Sequence, residues 1–116
     1  MGKMSKPNKE LISRVLNEVG FGERMVGYRI SERLGPVRTS MYSFEEVVNF
    51  LNDKFPQLEF EELEKWIRVV MNDEELAHRI SKAVEEETND RDRTERIRTL
   101  MEERLSQCKN TALIST

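Results

Sequence analysis

Apolar residues along this chain recur mostly three and four positions apart, and breaks rich in Gly, Pro, Asn or Asp separate the runs. That period belongs to helices lying with one face on a core. The densest run, Ser43 to Met71, holds Phe44, Phe50, Phe55, Phe60 and Trp66. Ser43 followed by Glu46 is a capping-box pattern and predicts a helix from Phe44. Its Val47, Val48, Phe50, Leu51 and Phe55 sweep with Phe44 an arc of roughly 160°, wide enough for two neighbours. Pro56 ends it, since proline can neither donate its backbone nitrogen nor leave Phe55 in helical geometry. A second helix from about Glu59 carries Phe60, Leu63, Trp66, Ile67, Val70 and Met71 on one side, with Glu61, Glu64, Lys65 and Arg68 opposite and Val69 out of place. The aromatic cluster reads as a core that holds helices together. A stacking platform for bases is its other use, and the acidic outer faces of these helices argue against phosphate there.

Residues 1–6 lack periodicity, and Pro7 and Asn8 introduce a helix from Lys9 with Leu11, Ile12, Val15, Leu16 and Val19 at helical spacing, closed by Gly20. Glu23 to Leu34 reads as a further helix with Met25, Val26, Ile30 and Leu34 inward. Gly27 weakens it, by about 1 kcal/mol for a mid-helix glycine, and a short strand at Met25–Ile30 is the alternative. Gly35-Pro36 is a stop, and Val37–Tyr42 a connector. Asn72 with Glu75 resembles a second cap, starting a helix at Asp73 with Leu76, Ala77, Ile80, Ala83 and Val84 as its stripe. Glu85 to Arg96 contains no apolar residue, so Thr88-Asn89-Asp90 is a break before a last helix from Asp92, carrying Ile97, Leu100, Met101, Leu105 and Cys108. One long helix through that gap is the alternative. The expected fold is all-α: a single-domain bundle of five to six short amphipathic helices over residues 9–109, between a flexible N-terminus (1–8) and a flexible C-terminal tail (110–116).

Composition changes this picture little: 116 residues suit one domain, and 35% charged residues suit helices with solvated outer faces. Charge placement adds more. The net charge of −3 divides into +4 over residues 1–42, −8 over 43–87 and +1 over 88–116. A basic head on an acidic body suits an anionic partner for the head, or attraction between head and body. One cysteine, Cys108, fits a reducing compartment, and no apolar run reaches the length of a membrane span or the middle region of a secretory signal. The expected location is the cytoplasm, without membrane contact.

Candidate chemistry is sparse. Glu75 and His78 have the Glu-x-x-His spacing of a di-metal half-site, but no second copy exists and His78 lies beside the polar side of its helix. Gly20-x-Gly22 with Gly27 lacks the dinucleotide spacing. The many carboxylates sit on solvated faces, and a Ser or Cys nucleophile finds no positioned base. No catalytic residue, cofactor or metal is expected, and no enzyme. Ile30-Ser31-Glu32-Arg33-Leu34-Gly35 is similar to the first helix and turn of a helix-turn-helix, with Arg24, Arg29, Arg33 and Arg38 available to phosphates. Pro36, the shortness of 37–42 and the acidic start of the next helix oppose it.

These readings favour a non-enzymatic protein–protein interaction module, a small helical regulator or adaptor. Its partner is a protein of unknown identity or a second copy forming a homodimer, engaged through Ile97, Leu100, Met101 and Leu105 on the last helix. The alternative is a helix-turn-helix-like DNA-binding regulator using residues 24–42.

Overall fold

A computed structural model describes residues 4–114, the side chain of Ile114 excepted; the parts of the expected flexible ends at 1–3 and 115–116 lie outside the described residues. In chain order come α1 (Lys9–Leu16), a single 3₁₀ turn (Phe21–Glu23), β1 (Met25–Ser31), β2 (Gly35–Met41) and α2 (Phe44–Leu51). They are followed by β3 (Pro56–Gln57), α3 (Phe60–Val69), α4 (Glu74–Glu86) and α5 (Asp90–Ile114). The expected all-α helical bundle is corrected by this order: the fold is mixed α/β, with five helices and a three-stranded antiparallel sheet in the order β2-β1-β3 among the described residues.

Residues 25–41, expected as a helix and a connector, form a β-hairpin in which Met25 pairs with Met41, Tyr28 with Arg38 and Ser31 with Gly35. Two causes are local. Val26, Tyr28, Ile30, Val37 and Thr39 are β-branched or aromatic and suit a pleated surface. Gly35 supplies the positive φ of +70° that the reversal needs, and the Ser31 hydroxyl accepts from the backbone N–H of Arg33 at 3.3 Å and of Leu34 at 3.2 Å. The third cause is tertiary. Gly27 lies against the ring of Phe50, where an added Cβ would stand 2.6 Å from Cζ, so β1 crosses α2 at the one residue without a side chain. The helix-turn-helix reading of 24–42 fails with this hairpin, because neither of its helices exists and Gly35-Pro36 begins a strand.

The helices follow their caps. Asn8 Oδ1 accepts from Leu11 N at 2.8 Å and Ser43 Oγ from Glu46 N at 3.1 Å, opening α1 and α2. The fourth helix is capped by Asp73, whose Oδ1 accepts from Leu76 N at 3.1 Å; Asn72, expected as the cap, instead takes φ +59° and ends the preceding helix. Asn89 caps α5 through Asp92 N at 2.9 Å, which makes two helices of residues 74–114 with the break where it was expected. The last helix continues past Asn110 to Ile114.

This long helix is the scaffold: α1, α2 and α4 pack on it, and α3 packs on α4. Phe44, Phe50, Leu63, Ile67, Met71, Leu76, Ile80, Ile97 and Met101 form the closed core. At one end of it, Arg104 and Asp73 make an ion pair whose side chains are 1% and 3% exposed, with Arg104 Nε 2.8 Å from Asp73 Oδ2. The same guanidinium donates to Glu75 Oε1 at 3.0 Å, to Ser5 O at 2.7 Å and to Gln107 Oε1 at 2.9 Å, so its donors are satisfied on all sides. Ser5 N returns 2.9 Å to Glu75, and Gln107 Nε2 donates to Met4 O at 3.0 Å. The N-terminal segment is thereby fastened across α4 and α5, with Met4 buried.

Candidate interaction surface

Three strands give the sheet two faces; α2 lies against one, and α3 flanks the other only at its Val26 end, where Val26 shares a groove with Lys65, Trp66 and Val69. Side chains alternate along a strand, so Met25, Gly27 and Arg29 share a face with their partners Met41, Thr39 and Val37. The Phe50 contact at Gly27 identifies that face as the inner one. The outer face then carries Val26, Tyr28 and Ile30 from β1, Ser40, Arg38 and Pro36 from β2, and Gln57 from β3. A half-covered antiparallel sheet ordinarily alternates apolar inward with polar outward. Here the order is inverted toward the tip of the hairpin: Arg29 and Ser31 face inward while Tyr28 and Ile30 face out.

The distal part of the hairpin, residues 28–38, has no buried residue. Tyr28 is 44% exposed, Ile30 43% and Leu34, at the tip, 78%. Beside them the outer face forms an open groove of about 360 Å³, lined by Val26, Tyr28, Ile30, Pro36, Gln57, Leu58 and Glu59. Phe21, Phe55, Val69 and Leu113 are exposed singly, whereas these hairpin residues form a group, which is what marks a surface for a partner.

The four arginines named from the sequence all lie on or next to this hairpin, in different circumstances. Arg24 is committed: its guanidinium stacks 3.8 Å over the Phe21 ring and donates to Phe21 O at 2.8 Å, while its Nε is buried without a partner. Arg29 reaches from the inner face to Asp53 at 3.1 Å. Arg33 at the turn and Arg38 across from Tyr28 are exposed and make no ion pair among the described residues.

The residues expected to meet a partner on the last helix sit elsewhere. Ile97 and Met101 are fully buried, Leu105 is buried and Leu100 packs against the core from its margin. Helices α1, α2 and α4 already cover that face, so a homodimer through these four residues would have to open the core. Periodicity finds the apolar stripe correctly, but it does not tell whether the stripe meets its own chain or another.

His78 is exposed on α4, and no cluster of three metal-ligating side chains exists among the described residues. Cys108 is buried, and burial raises its thiol to about 11, so it carries little thiolate near neutrality. Burial alone would raise the Glu75 carboxyl, but hydrogen bonds from the Ser5 backbone and the Arg104 guanidinium outweigh it and hold the group below the ordinary carboxylate value. Sequence reasoning missed the outer sheet face, and the available signal was the Val26-x-Tyr28-x-Ile30 alternation, which has period two. No helix among the described residues is long and apolar enough to cross a membrane. No protein-family profile, curated protein or solved structure matches the chain.

Proposed function

We propose that this protein is a non-enzymatic interaction module, a small regulator or adaptor acting in the cytoplasm, that engages another protein through the outer face of its β-hairpin. The observation that carries the reading is the inverted facing of β1: Tyr28 and Ile30 are exposed on the outer sheet face of a hairpin whose distal residues are all unburied. Exposed apolar residues grouped on a rigid antiparallel pair are a recurrent binding device, since the backbone is ordered before the partner arrives and little entropy is lost on docking. What supports the absence of catalysis in this reading is the state of three groups: a buried, protonated Cys108, a solvent-exposed His78, and Asp73 and Glu75 paired with Arg104.

A photo-crosslinking residue placed at Tyr28 tests it, with the same residue at the exposed Lys82 on α4 as control. The expected outcome in cells of the native host is a discrete protein adduct at position 28, absent at 82 and competed by excess unlabelled chain. Equal adducts at both positions, or none at 28 under conditions where the protein is folded, contradict the reading.

A further inference from the structure

Resting on that reading, we infer that the outer sheet face receives a single amphipathic helix bearing carboxylates along one flank. Three observations define the occupant. The first is shape. Val26, Tyr28 and Ile30 lie two residues apart on β1, so the apolar strip runs about 13 Å, the rise of two to two and a half helical turns. The sheet has three strands, hence a width near 10 Å, that of one helix. A two-layer fold whose outer sheet face is apolar is completed by one more helical layer.

The second observation concerns the sheet edges. β3 contributes only two residues, and β2 carries Pro36, which has no backbone N–H to offer an added strand. Docking therefore uses the face. The third is charge. Residues 24–42 contain four arginines and one carboxylate, Glu32, and the two arginines bordering the face, Arg33 and Arg38, have no acidic partner among the described residues. On the opposite border stands Glu59. A helix seated between these borders gains most when its acidic flank runs along β2. A second copy offering its own outer face brings a second pair of arginines instead of carboxylates.

The test uses the isotope-labelled full chain and two synthetic helical peptides with the same leucine stripe, one with glutamates along a single flank and one with lysines at those positions. The glutamate peptide is expected to shift the amides of Val26 to Ile30 and of Val37 and Arg38, at least tenfold more tightly than the lysine peptide at low salt, with the preference shrinking as salt rises. The R33E/R38E variant, changed only at exposed sites, is expected to reverse the order of the two peptides. Equal affinities, or shifts that map away from the hairpin, overturn the inference. So does concentration-dependent shifting of the same amides without peptide, which assigns the face to a second copy, or tighter binding of oligothymidylate there, which assigns it to nucleic acid. If neither peptide binds while crosslinking at position 28 still captures a protein, the docking reading stands and the acidic helix is rejected.

Discussion

At the scale of single residues, Gly27 decides more than its size suggests. Alanine in a strand ordinarily gains about 0.5–1 kcal/mol over glycine, yet here the added methyl would stand 2.6 Å from Cζ of the fully buried Phe50 ring and 3.0 Å from the backbone oxygen of Gln57. Gly27→Ala is therefore expected to lower the unfolding free energy by roughly 1–3 kcal/mol, as overpacking does, and by less than about 1 kcal/mol in a Phe50→Leu background. Denaturant titration of the four proteins checks this, and an equal loss in both backgrounds removes the proposed contact. Residue-level signals were the most legible part of the sequence. Ser43 and Asn8 cap where their hydroxyl and amide chemistry says they should, because a cap is a local interaction of three or four residues. Asn72 and Asp73 are both cap residues by chemistry, and choosing between them needs the positive φ that Asn72 adopts to turn the chain. The buried partnership of Arg104 and Asp73 had no local signal, being separated by 31 positions.

Elements divide by the kind of information that specifies them. The helices α2 to α5 were visible because an apolar stripe at a period of 3.6 is sufficient evidence of a helix packed on one side. The hairpin was visible only in part, as the alternative strand at Met25–Ile30, since Met25, Val26 and Ile30 fit a helical stripe about as well as they fit a strand, and its second strand was read as a connector. What settles it is Gly27 against α2 and Gly35 in the turn, both contacts or conformations outside the reach of periodicity. The N-terminal segment makes the same point at an element's margin. It has no helical pattern, and it is held by Glu75, Arg104 and Gln107 from two helices distant in sequence. Since the Glu75 carboxyl lies below its ordinary value in the folded protein, the stabilisation it contributes is complete above the unfolded value of about 4.3 and is lost as pH falls through the lower folded value. Unfolding midpoints measured from neutral pH down to about pH 3 should fall more steeply for the wild type than for Glu75→Gln. Parallel curves would show that this carboxylate is not coupled to folding.

On the scale of the whole molecule, the charge division read from the sequence acquires a position. The basic head includes the hairpin, and the acidic middle includes α3 and the start of α4. The helices pack most of their apolar faces on one another around α5; apolar residues stay exposed singly at Phe21, Phe55, Val69 and Leu113, and as a group on the hairpin at Tyr28, Ile30, Leu34 and Val37. Two apolar sets are thus assigned opposite roles, the α5 stripe to stability and the β1 outer strip to an external partner, and paired substitutions separate those roles most directly. Tyr28→Thr and Ile30→Thr keep strand propensity and are expected to change the unfolding free energy by no more than about 0.5 kcal/mol each. Ile97→Ala and Met101→Ala are expected to cost roughly 2–5 kcal/mol each. Equilibrium unfolding of the four variants against the wild type contradicts the account if the sheet-face substitutions prove the costly ones, or if the α5 substitutions prove neutral.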